Sequence, residues 1–229
     1  MSSISKSTLS FLKSLKKNNN REWFTDNKPD FQVENELFIS FADDVLSEMN
    51  KYDNIETISG KKSVFRIYRD VRFSKNKTPY KTHFSGSLKR ATKLLRGGYY
   101  FHVEPNNSFI GGGFWGPNPK DLLRIRKEIS TDASELRAII NDKNFIKIFG
   151  ELEGDKVKTA PRGFDKNHLD LDLLQFKQYV ISRKFSDKEI LSPNFHLKVV
   201  ETFKAMRPFF DYMSAVLTTD ENGIPLFEN

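Results

Sequence analysis

Residues able to hold an anion crowd into one stretch, FRIYRDVRFSKNKTPYKTHF, at 65–84. Drawn out as a strand, it puts Arg66, Tyr68 and Arg72 on one face, and Lys77, Tyr80 and Lys81 follow across a lysine-rich turn. Arginine forks match the oxygens of phosphate and carboxylate, and tyrosine adds a neutral donor. Arg69 falls on the opposite face with Phe65, Ile67, Val71 and Phe73. A guanidinium left alone there would be costly, so the fold must supply a carboxylate or carbonyl partner, or a wet pocket. Arg162, in a later irregular stretch, and Arg183, on the last expected strand, are further candidates for the same site. From Lys61 to Arg96 there are 12 Lys and Arg against Asp70 alone, so a chain of formal charge +7 carries its whole positive excess here. Such a field concentrates phosphates, carboxylates or nucleic acid. The plainer alternative is a solvated pair of strands whose lysines discourage edge pairing.

A second group could move protons. His102 and Glu104 are two apart on one expected strand and share a face, and His83 lies on the strand candidate before it. Two histidines and a carboxylate are also the ligand set of a facial triad. Without a register for His83 no metal is assigned, and Glu104 has a competing role as the partner of Arg66 or Arg72 across the sheet. Asp165, His168, Asp170 and Asp172 have the spacing of turn and cap residues, and His196 reads as a surface residue. The absence of cysteine removes thiolate nucleophiles and cysteine metal sites. No nucleophile elbow occurs, and Gly111-Gly112-Gly113 lacks the lysine and hydroxyl of a phosphate loop. No motif names a cofactor.

The elements that must position these groups follow from periodicity. Leu9, Leu12 and Leu15 mark a first helix near Ser7. Val33, Leu37, Phe41, Val45 and Met49 mark a long one reaching about Asn50, with a break near Pro29. Strands are expected at Ser63–Phe73, Thr82–Lys89, Gly98–Glu104, Ser108–Trp115 and Gln178–Phe185. The three glycines inside a strand pattern predict a bulge or a close approach by another backbone or a ligand. Pro119 opens a helix to about Ile129, and further helices fill Thr131–Gly150. Residues 151–170 form a long irregular stretch, Ser186 to Glu189 has capping-box spacing, and a last helix kinks at Pro208. The expected fold is α+β: an antiparallel sheet of about five strands covered by helices from both chain ends. One globular domain spans 1–229, with 220–229 as a loose tail. No apolar run is long enough for a signal peptide or a membrane span, so a cytoplasmic protein without a membrane partner is the simplest expectation.

The order of LKKNNNREWFTDNKPDF, FRIYRDVRFSKNKTPYKTHFSG, GGYYFHVEP, GGGFWGP, APRGFDKNHLDLDLL and YVISRKFSD resembles the domain-of-unknown-function family numbered 2461, from about Leu12 to about Tyr212. The resemblance implies no activity or site. From the residues themselves, the expectation is a protein that binds a phosphorylated or other anionic small molecule on a basic sheet face. Arg66, Arg72 and Lys81 hold the anion there, and His102 or Glu104 moves protons if chemistry follows. Two alternatives remain: a nucleic-acid binder using the basic aromatic strands, and a protein-interaction module without catalysis.

Overall fold

The computed structural model describes residues 3–220 and 223–226. It is α+β, with helices α1 (Lys6–Lys17), α2 (Arg21–Asp26), α3 (Lys28–Met49) and α4 (Gly60–Ser63) preceding strands β1 (Phe84–Lys89), β2 (Gly98–Val103) and β3 (Ser108–Phe114). Helices α5 (Pro119–Thr131), α6 (Ser134–Ile140), α7 (Lys143–Phe149) and α8 (Leu171–Leu174) follow. Strand β4 (Tyr179–Phe185) and helices α9 (Asp187–Ile190), α10 (Phe195–Ala205) and α11 (Arg207–Thr218) complete the order. The four strands form one antiparallel sheet in the order β1-β2-β3-β4.

The chain divides into two compact units. The first comprises Met1–Leu88, Tyr100–Ile110 and Lys184–Glu201; the second comprises Lys89–Tyr99, Gly111–Arg183 and Thr202–Asn229. In the first, α1 is capped by Ser5, whose side chain accepts the Thr8 N–H, and it buries Leu9, Phe11, Leu12 and Leu15. Pro29 sits in the first turn of α3, where its missing N–H costs no helical bond. The expected i, i+4 stripe holds at Phe41, Val45 and Met49, all fully buried, but Val33 is 60% exposed. Each four-residue step carries a side chain about 40° around the helix, so a line begun at Val33 has left the core-facing side by its other end. Glu34 and Phe38 take the core position instead, and the Glu34 carboxylate accepts the Thr8 hydroxyl at 2.6 Å. Phe38, Phe84 and Phe101 then meet ring to ring at 5.2 and 5.7 Å. Gly86 is needed here, because a Cβ on it would stand 2.5 Å from the Phe101 ring.

In the second unit, Tyr99, Phe203 and Phe210 form an aromatic core. Gly113, at φ +130°, lets β4 approach so closely that a Cβ would lie 2.3 Å from the Tyr179 carbonyl oxygen. The close approach foreseen at the three glycines is therefore made by another backbone. Pro208 lies just inside α11, and the expected kink is a break into α10 and α11. Ser186 and Glu189 form the capping box foreseen for α9.

Four of the five expected strands are present. The stretch Ser63–Phe73 is a correction: it makes only isolated antiparallel bridges, Val64 with Gly86 and Tyr68 with Tyr80. Residues 64–86 form a loosely paired arm. Its supposed apolar face does not bury, since Phe65 is 44% and Phe73 96% exposed while Ile67 alone is in the core. Alternation only yields a strand where a neighbouring layer covers one face. Of the tail expected at 220–229, residues 221, 222 and 227–229 lie outside the described residues. In the remainder, Pro225 bridges to Thr219.

Candidate functional site

Within the first unit, β2 turns Phe101 and Val103 into the core, so the alternation sends Tyr100, His102 and the following Glu104 to the other face of the sheet. Phe109 of β3 stacks on the His102 ring at 4.7 Å. His83, the residue before β1, brings its ring within 4.0 Å of the His102 ring. The register that the sequence left open thus places His83 beside His102, and ligand-type atoms of His83, His102 and Glu104 all lie within 4.8 Å of one another. Among the described residues no other group of three His or acidic side chains is gathered this way.

Each member is held differently. The Tyr100 hydroxyl lies 3.0 Å from Nδ1 of His102. Nε2 of the same ring stands 3.5 Å from Glu104 Oε2 and makes no hydrogen bond, although His102 is only 7% exposed. Glu104 Oε1 accepts the Thr82 hydroxyl at 2.9 Å and faces the Lys16 ammonium at 3.4 Å, while Oε2 accepts an Asn107 amide N–H at 2.9 Å. Burial pushes His83 down to about 4, helped by the charges of His102, Lys81 and Arg69 against the pull of Glu104. Burial likewise depresses His102, against the pull of Glu104. Glu104 stays below its ordinary range: burial raises it, but the Asn107 and Thr82 hydrogen bonds and the Lys16 charge prevail. At neutral pH the cluster is two neutral imidazoles and a carboxylate. That state can accept a proton, or offer lone pairs to a cation.

The cations of the arm are mostly occupied by the arm itself. Arg69 donates to the Thr78 carbonyl at 3.2 Å and to the hydroxyls of Thr78 and Ser74, so of the carboxylate, carbonyl or wet pocket that its place in the sequence left open, the fold supplies a carbonyl. Arg72 makes two hydrogen bonds to the Asp70 carboxylate. Lys77 donates to the Val71 carbonyl at 2.9 Å, and Lys81 donates to the Arg66 carbonyl at 2.8 Å, its ammonium 5.5 Å from the centre of the Phe65 ring. Tyr80 is buried and stacked on Phe24 at 3.9 Å, which makes it the anchor of the arm. Arg66 and Tyr68 are exposed, and the Arg66 guanidinium has no hydrogen-bond or ion-pair partner among the described residues. Phe65 lies 6.4 Å from Tyr100, so the base of the arm adjoins the histidine cluster.

Arg162, Arg183 and the acidic cluster at 165–172 belong to the second unit. Arg162 is exposed in an irregular stretch, and Arg183 on β4 reaches the Thr202 hydroxyl at 3.4 Å. Of the acidic cluster, Asp165 has the expected turn role, accepting the Asn167 N–H, and His168 accepts the Asp170 N–H, whereas the side chains of Asp170 and Asp172 are ion-pair partners of Arg137 and cap no helix. Glu104 pairs with Lys16, in place of the Arg66 or Arg72 partner weighed from the sequence. His196 corrects an expectation, being 4% exposed on α10; its ring falls on the inner side of a helix whose boundary sequence alone placed only loosely.

A family model described as conserved hypothetical protein (DUF2461) matches residues 7–212. No curated protein and no solved structure matches the chain. The chain belongs to the DUF2461 family.

Proposed function

We propose that this DUF2461 protein binds an anionic small molecule, a phosphate or carboxylate compound, at the base of the arm. One observation carries the reading. The half-buried Lys81 ammonium donates to the Arg66 carbonyl at 2.8 Å, and Arg66 has no carboxylate partner among the described residues, so burial and then the charge of Arg66 hold Lys81 below its ordinary range. Two cations held together without an acid between them are relieved by an incoming anion. Arg66 supplies the planar fork, Lys81 the point charge, and Tyr68 an exposed phenol on the same arm. Arg72, Arg69 and Lys77 contribute field and shape the loop. Where the bound molecule undergoes proton transfer, neutral His102 or ionised Glu104 carries it.

The test is thermal unfolding of the full chain in chelator, with inorganic phosphate, sugar phosphates, nucleotides and dicarboxylates. A ligand at 100 times its Kd should add about 2.7 kcal/mol of stability. Arg66→Ala and Lys81→Met, still folded, should abolish that shift. A shift that survives both substitutions, or no shift with any anion, overturns the reading.

A second reading, nucleic acid, rests on Phe73. It is 96% exposed, with the Arg72 guanidinium 5.9 Å from its ring centre, on an arm that also exposes Tyr68. Exposed rings between cations are stacking platforms for unpaired bases. Single-stranded RNA or DNA would then bind with an affinity that falls steeply with salt, and Phe73→Ala would weaken it.

A further inference from the structure

We propose that His83, His102 and Glu104 form a binding site for one divalent transition-metal ion, with further coordination positions not filled by these three side chains. This goes beyond the anion reading and does not depend on it. Three donors of the right types converge within 4.8 Å. A first shell with bonds of about 2.1 Å spaces its donor atoms about 3.4 Å apart, so a pair at the 4.8 Å limit must close by about 1.4 Å. His83 can supply that movement, since it is half-buried in the lead-in to β1, whereas strand β2 fixes His102, and hydrogen bonds from Thr82 and Asn107 hold Glu104 just beyond its end.

The independent observation is Nε2 of His102. A buried ring nitrogen normally finds a partner, and this one has none. If Nε2 carried the proton it would be a donor 3.5 Å from a carboxylate and misaligned with it. With the proton on Nδ1, donated to the Tyr100 hydroxyl at 3.0 Å, Nε2 turns a lone pair toward the space between His83 and Glu104. That is the arrangement by which a second shell orients a ligating histidine. Glu104 is braced in the same way by Thr82 and Asn107, and Lys16 sits on Oε1, leaving the Oε2 side facing the histidines. Two imidazoles and one carboxylate suit Zn(II), Fe(II), Co(II) or Mn(II) over Ca(II) or Mg(II), which prefer all-oxygen shells. Three protein donors leave positions for water or a ligand oxygen.

The experiment uses tag-free full-length protein stripped with chelator and titrated with Co(II), followed by visible absorption, and with Zn(II), followed by calorimetry, in a buffer free of phosphate. The expected result is one ion per chain with ligand-field bands from Co(II). His83→Ala and Glu104→Gln should each weaken binding by about 100-fold or more, and His168→Ala should leave it unchanged. His102 is buried and its loss could disturb the fold, so the site stands or falls on the other two variants, each checked for a cooperative melt. Absence of stoichiometric binding, or wild-type affinity in both folded variants, overturns the site. The anion screen is run in chelator and this titration without anions, so the failure of one proposal is distinguishable from failure of the other.

Discussion

The two units treat the same residue type in opposite ways. In the second, Arg90 is 1% exposed and its guanidinium meets Asp211 at 2.6 Å, the Arg96 carbonyl at 3.0 Å and the face of Phe210. Arg137 is held by Asp170 and Asp172, Arg96 pairs with Asp121, and Arg126 donates to the carbonyls of Leu174 and Phe176. In the first unit the arm has one acid, Asp70, which Arg72 occupies. Lys77 and Lys81 fall back on main-chain carbonyls, and Arg66 has no partner among the described residues. A count of bases in a window therefore measures field, while the availability of a charge depends on whether the fold brings it a carboxylate.

The strongest way to break this contrast is Asp211→Ala. It strands a fully buried guanidinium, a change that costs about 3–5 kcal/mol when both partners are inside. Asp211 is itself 45% exposed, so the expected loss is smaller, about 2–3 kcal/mol in denaturant unfolding. Arg90→Met in the same background should recover most of it, because the stranded charge is then gone. A loss under about 1 kcal/mol would mean that the cations of the second unit are no more dependent on their acids than those of the arm.

How much of this was legible beforehand varies residue by residue. That Arg69 would need a partner could be read from its neighbours, because the cost of an unpaired charge is local knowledge, but which partner could not, and the apolar face it was assigned to does not bury. The burial of Arg90 could not, since its acid lies 121 positions away and no periodicity links them. The helices with caps and prolines, α5 and α9 among them, were visible because their signals are contained within one turn. The strand expected at Ser63–Phe73 failed because alternation says nothing about whether a layer exists to cover the apolar side. His102 and Glu104 were placed on one face by spacing alone, whereas His83 joined them through the pairing of β1 with β2, which is a long-range fact.

A middle-sized effect separates the units by pH. His168 in the second unit engages both ring nitrogens, with the Ser130 carbonyl and the Asp170 N–H. His83, with a pKa of about 4 in the fold against 6.5 for the free side chain, faces His102, Glu104, Lys81 and Arg69. Between those two values the unfolded chain binds a proton that the folded chain refuses, so stability is full above pH 6.5 and declines as pH falls toward 4. His102 adds to the decline with the same sign, and Glu104, depressed below 4.5, adds its own loss only beneath that pH. Melting temperatures of chelator-treated protein should fall across this window, and less so for His83→Gln. Equal slopes for wild type and His83→Gln would show that the cluster is not held neutral by burial.

The smallest expected effect is the most informative about function. Arg66→Ala removes a side chain with no partner among the described residues, so its effect on unfolding should lie within about 0.5 kcal/mol. It also relieves Lys81 of a neighbouring charge, which makes a slight gain in stability the more reasonable sign. A residue selected for the fold would not behave this way, whereas one held in readiness for a ligand would: its contribution appears only when an anion is present. The discriminating measurement is therefore the pair of melts with and without phosphate compounds. Near-identity in the ligand-free state with divergence in the bound state sets Arg66 apart from Arg90. A large ligand-free loss would place it among the structural arginines of the second unit and remove the charge on which the anion site depends.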